Sequence, residues 1–118
     1  MAEGFANHYG NDVVFAKSAG ISPVTAIVRD TVEAMLEKNV DISKHIPSQY
    51  MPIAAPRYDI IVNMSGMRLP GKPPQDLIEW QIEDPYRQKM EVYRRVRDDL
   101  ERRVMNLILK IRMQSAKG

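Results

Sequence analysis

Apolar positions along this chain change their period several times, and each change marks an element. Met1, Ala2, Phe5 and Ala6 share one face of a short helix running to Tyr9. Gly10-Asn11-Asp12 reads as a turn, and Val13 to Ser18, dense in β-formers, as a strand ended by Ala19-Gly20. Ser22-Pro23 through Thr25 is loop or the lead into a helix. Val28, Thr31, Val32, Met35 and Leu36 then form a helical stripe from about Val28 to Lys38, with Asn39 as a left-handed stop. Val40 to Ser43 is an extended link, and Pro47 to Ala55 a brief helix bounded by Pro56. Tyr58 to Met64 is nearly continuous in apolar residues, as in a strand buried on both faces of a parallel sheet. Ser65 to Pro74 is a loop, and Gln75 to Ile82 the next strand. From Pro85 to about Met113 runs a long helix whose stripe is Tyr93, Val96, Leu100, Val104, Leu107, Ile108 and Ile111. Its other face, with Arg94, Arg95, Arg97, Asp98, Asp99, Glu101, Arg102 and Arg103, reads as a solvated surface laced with i, i+4 pairs. Gln114 to Gly118 is a frayed tail. Helix, strand, helix, strand, strand, helix predicts a small α/β layered unit, one domain over residues 1–118.

Composition narrows the chemistry. A length of 118 residues, with 44% hydrophobic and 27% charged residues, is ordinary for a globular domain. A net charge of +2 is spread out, which speaks against nucleic acid as partner. No apolar run approaches a membrane span, and the first residues lack the charged and apolar regions of a signal peptide, so a cytoplasmic protein is expected. There are no cysteines, which excludes disulfides, thiolate metal sites and a cysteine nucleophile. His8 and His45 lie too far apart in sequence to imply a metal pair and read as structural or surface residues. No metal and no cofactor is implied.

The remaining candidate is Asp84. It stands between an apolar run (Leu77, Ile78, Trp80, Ile82) and the long helix, directly before Pro85. Proline holds its own φ near −65° and biases the preceding residue to extended backbone, so Asp84 is presented on a stiff loop. Taken alone, an Asp-Pro step is most simply a helix cap with proline in the first turn.

Six landmarks in order change that reading. They are Met-Ala-Glu-Gly-Phe at 1–5, Ser-Ala-Gly at 18–20, Val-Asp-Ile-Ser-Lys-His at 40–45, Tyr-Asp-Ile-Ile-Val at 58–62, Trp-x-x-x-Asp-Pro-Tyr at 80–86 and Tyr-Arg-Arg-Val-Arg-Asp-Asp-Leu at 93–100. Together they resemble the low-molecular-weight protein tyrosine phosphatase family and its relatives, the thioredoxin-coupled arsenate reductases. The resemblance implies a phosphotyrosine phosphatase I-like fold, with a parallel sheet ordered 2-1-3-4 and helices on both faces. It also implies a phosphate-binding loop, C-x-x-x-x-x-R-S/T, after the first strand. In that family a cysteine thiolate attacks phosphorus while loop amides, the arginine and a helix dipole hold the oxygens. An Asp-Pro aspartate protonates the leaving group and then activates water. On this resemblance Asp84 matches the general acid, Tyr86 an aromatic on the substrate rim, and Ser18 a serine supporting the phosphate loop.

Met1 matches a position just past that loop, so the resemblance implies an N-terminally truncated chain. The first central strand, the nucleophile, the arginine and the loop would then be missing. The chain would be catalytically incompetent, and a phosphotyrosine protein would be a substrate only with that segment restored. Arsenate reductases of this fold pass oxidation to a cysteine at the end of the third strand. Here Met64-Ser65-Gly66 stands there, and serine forms no disulfide. Ser65, with His45 and Tyr86, favours the phosphatase branch over the reductase branch. A missing central strand would leave two edges roughly 9–10 Å apart. Open edges recruit strands, so a homo-oligomer or strand-swapped dimer is expected, and a non-catalytic binding or scaffold protein is the alternative function.

Overall fold

The computed structural model describes residues 1–20, 28–69 and 76–117, leaving aside the side chains of residues 53, 55, 56 and 115–117. Helix α1 spans Ala2–Tyr9 and α2 Arg29–Leu36; a 3-10 helix covers Pro52–Arg57. Strand β1 is Ile61–Asn63, β2 is Leu77–Glu79, and α3 is Met90–Lys117. The two strands pair in parallel, Ile61 opposite Leu77 and Asn63 opposite Glu79. A parallel sheet with flanking helices is the α/β class that the apolar pattern predicts.

The core forms where α3 crosses the two shorter helices. Val96, Leu100, Val104 and Ile108, four residues apart, line up on one side of α3 and bury Phe5 of α1, Met35 of α2 and Val40. The α1–α3 approach is close enough to need a glycine. A Cβ on Gly10 would stand 2.9 Å from both Cγ1 and Cδ1 of Ile108. Asn39 ends the second helical stretch as expected, with φ at 61°, and Val40 N–H turns back to the Met35 carbonyl at 3.1 Å.

The strands are shorter than the apolar runs that predict them. Ile61 N–H donates to Asp76 and Trp80 N–H to Asn63 at 3.1 and 3.0 Å, which bounds the ladder. Asn63 then closes it. Its buried side chain accepts from Ser65 N–H and Oγ and donates to the Met67 carbonyl, turning the backbone through Gly66 at φ 74°. Ile61 and Val62 are half-buried, not buried on both faces.

Residues 13–18 do not form the expected strand. Side chains of α1 replace a neighbouring strand there: Asn7 exchanges two hydrogen bonds with Ala16, at 2.8 and 2.9 Å, and Glu3 accepts from Ser18 N–H at 2.7 Å. Pairing begins only at Gly20, in an isolated parallel bridge to Gln49. That bridge commits the backbone of 48–50, so the helix expected from Pro47 becomes the 3-10 helix five residues later.

The long helix also begins later than expected, at Met90. Gln88 N–H bonds the Pro85 carbonyl at 2.8 Å, and Arg87 takes φ 64°, which interrupts helical geometry. At the other end α3 continues to Lys117, with no glycine or proline to stop it before then, so 114–117 is not a frayed tail. Arg97 leaves the solvated face assigned to it. It is buried, donating to the Ala34 carbonyl and to Glu37 at the end of α2, where a helix dipole favours a cation. The expectations for Ser22 to Thr25, Pro70 to Pro74 and Gln75 fall outside the described residues.

Candidate functional site

Two groups of polar residues carry the candidate positions. The first is the loop from Trp80 to Lys89. Asp84 Oδ1 accepts Tyr86 N–H at 3.0 Å, an Asx turn that bends the chain around Pro85 and leaves the carboxylate in solvent. Because α3 starts at Met90, Asp84 is not its cap, and the simplest reading of the Asp-Pro step does not hold. Tyr86 is half-exposed, with the Arg87 guanidinium 5.4 Å from its ring centre. The loop is tied down on both sides. Glu83 pairs with Arg95 of α3 at 2.7 Å, and the Trp80 ring packs on the core with Arg103 over it at 5.9 Å. Beneath it lies Tyr93. Burial pushes its phenol pKa up, with the charge on Asp30 and, less strongly, that on Asp84 adding to the effect.

The second group joins α1 to two loops. One Glu3 carboxylate oxygen accepts Ser18 N–H, and the other lies 2.8 Å from His45 Nδ1. His45 Nε2 in turn lies 3.4 Å from Ser18 Oγ, and the Ser18 carbonyl accepts from Ser48 Oγ at 2.9 Å. Ser18 is therefore held at three atoms. A shallow cavity of about 350 Å³ opens beside this network, lined by Glu3, Gly4, Asn7, His8, Asp41 and His45. His45, read from the sequence as structural or surface, is structural: it connects Glu3 to Ser18. Its partner Glu3 was not singled out from the sequence, although both lie within landmark motifs, Met-Ala-Glu-Gly-Phe and Val-Asp-Ile-Ser-Lys-His.

Asp84 and Tyr86 thus adjoin one another, and Ser18 belongs to the other group. Among the described residues no hydrogen bond or ion pair links the two groups. No set of three or more histidine or carboxylate side chains there could hold a metal ion. Chemically, the arrangement offers a solvent-facing carboxylate on a fixed turn and an anchored serine, but no thiol anywhere in the 118 residues.

Comparison with known proteins extends the likeness over the whole chain. The family profile described as low molecular weight phosphotyrosine protein phosphatase matches residues 1–117. A Synechocystis protein named glutaredoxin arsenate reductase is 37% identical over 117 residues, covering 94% of this chain and 87% of that one. A solved structure of an arsenate reductase in the phosphate binding state superposes with a TM-score of 0.85 at 32% identity, covering 93% of this chain and 86% of the other. A protein tyrosine phosphatase structure shares the fold at TM-score 0.78 and 19% identity, covering 94% and 85%. The parallel sheet, the long closing helix and the Asp-Pro turn stand where this match runs unbroken, and the chain belongs to the low-molecular-weight phosphotyrosine protein phosphatase family.

Proposed function

We propose that this chain, as it stands, is a catalytically silent member of its family and descends from the arsenate reductase branch. The observation that carries the first part is the absence of cysteine from all 118 residues. Phosphotyrosine hydrolysis through phosphocysteine needs a thiolate to attack phosphorus. Thiol-coupled arsenate reduction needs thiols to deliver two electrons. Neither hydroxyl nor carboxylate replaces that second chemistry, and Ser65 is bound to Asn63 and Met67 as part of a turn.

Descent from the reductase branch is supported by identities of 37% and 32% to proteins named arsenate reductases. The sequence alone favours the phosphatase branch through His45, Tyr86 and Ser65. In the structure His45 is occupied with Glu3 and Ser18, and Ser65 with Asn63, so both positions serve packing and turn geometry and say little about chemistry. Asp84 keeps the exposure and rigidity of a proton donor. Without a bound oxyanion ester beside it, it has nothing to protonate. Among the described residues no helix is long and apolar enough to cross a membrane, and a cytoplasmic location suits this reading.

The experiment is steady-state hydrolysis of an aryl phosphate by the purified chain and by Asp84→Asn. Both are expected at the rate of a protein-free blank. Turnover above the blank that drops in Asp84→Asn overturns the proposal.

A further inference from the structure

Beyond Glu101, α3 carries Arg102, Arg103, Lys110, Arg112 and Lys117 and no aspartate or glutamate. Part of that stretch stands beside β2. Ile78 and Trp80, two residues apart on extended backbone, turn to the same side of the sheet. With Arg103, Asn106, Leu107 and Lys110 of α3 they line a groove of about 190 Å³. Ile78, Trp80 and Leu107 are half-buried and make its floor apolar, while Asn106 and Lys110 are exposed at its rim. In the family's 2-1-3-4 order β2 is the fourth strand, and β1, the third, stands between it and the place of the first.

The two cations of the groove differ in what they have to offer. Arg103 is committed inside the molecule: its Nε donates to Asp99 at 3.1 Å, and its guanidinium lies 5.9 Å from the centre of the Trp80 ring. Lys110 and Asn106 have no hydrogen-bonding or ionic partner among the described residues. Other cations of α3 are answered by acids, Arg94 and Arg97 by Glu37, Arg95 by Glu83 and Arg112 by Asp12. No carboxylate lines the groove. Past Lys110 the apolar surface continues in Leu109 and Met113, 51% and 62% exposed.

We propose that this groove is a docking site for an acidic segment of a partner protein, which seats one large apolar side chain on Ile78, Trp80 and Leu107 and sets a carboxylate against Lys110. The volume decides between a metabolite and a side chain. Pockets that hold a whole small molecule run to roughly 300–1,000 Å³, so about 190 Å³ suits a single anchoring side chain. The charge decides the sign of the partner, since two cations with no carboxylate among them attract an acidic segment and repel a basic one. A concave floor receives an inserted side chain, whereas a lipid surface is met by apolar residues that project. The docking is independent of whether the chain has any catalytic activity.

Trp80 is the one tryptophan of the chain, so its fluorescence reports on the groove directly. The probe is a blocked peptide with a phenylalanine between two pairs of glutamates, titrated at low salt into the purified chain. A saturable change in Trp80 emission is expected, weakened by added salt. Lys110→Glu, at an exposed position, is expected to keep its helical circular dichroism and to weaken binding roughly fivefold or more, as an attraction becomes a repulsion. Asn106→Glu is expected to do the same should Lys110→Glu fail to fold. Lys44→Glu, the same change of charge outside the groove, is expected to bind as the wild type does. A peptide with alanine in place of phenylalanine is expected to bind more weakly. No saturable change up to millimolar peptide overturns the proposal, and so does equal binding of the alanine peptide or of one with lysines for glutamates. Binding that survives both groove variants also overturns it. So does a Trp80 response to phosphatidylserine vesicles with none to the peptide, which would assign the groove to a membrane.

Discussion

Glu37 shows how much a single residue can hold at this scale. Arg94 and Arg97 both donate to its carboxylate, and these bonds pull its pKa from 4.5 down to about 2. A carboxylate depressed in the folded state stabilises the fold fully above its unfolded value, and that stabilisation fades as pH falls through the folded one. The stability difference between wild type and Glu37→Gln, measured as urea midpoints, is therefore expected to be constant above about pH 5 and to shrink between pH 4.5 and about 2. A difference that stays level down to pH 2 would show that the two arginines do not act through the charge. The partners of Glu37 lie 57 and 60 residues away, which is why no local spacing exposed the cluster. Asp84 and Tyr86 were readable because their turn is local: proline at 85 and the aspartate before it set the geometry themselves. Ser18 was readable as a position but not as a junction, since its partners Glu3, His45 and Ser48 come from three separate stretches.

At the scale of elements, periodicity located the helices well, because each needs only its own stripe. The stripe of α3 meets α1 so closely that Gly10 has no room for a side chain. Gly10→Ala is expected to push Ile108 off its position and destabilise the protein by about 1–3 kcal/mol, measured by chemical denaturation, with no change in the length of α1. A neutral result would mean that the α1–α3 seam can open at no cost. Strands were less readable, for the opposite reason. A strand exists only if another backbone lies beside it, and pattern alone reports the willingness of a segment rather than its neighbour. Val13 to Ser18 has the composition of a strand, yet its backbone bonds to Gly10 and to the side chains of Asn7, Glu3 and Ser48 rather than to a neighbouring strand. Tyr58 to Met64 shortened to three residues because the Asn63 side chain captured the turn that follows it. Arg87, in the left-handed region, delayed α3 in a way that no propensity for arginine foretells.

At the scale of the whole molecule, the order of six short motifs was enough to indicate the family, and the match over residues 1–117 agrees with it. The branch was harder to read, because the residues that argued for the phosphatase side, His45 and Ser65, are placed by hydrogen bonds that serve structure. What the chain retains is a frame: a parallel pair of strands, an aspartate on a fixed turn and a serine held at three atoms. The 118 residues contain no cysteine, and the proposal of a catalytically silent chain rests on that. The most direct test of that account is arsenite release from arsenate by the purified chain, supplied with glutathione and glutaredoxin and, separately, with thioredoxin. The account predicts no arsenite above the protein-free mixture with either reductant. Sustained release with either one, lost in Asp84→Asn, would contradict it.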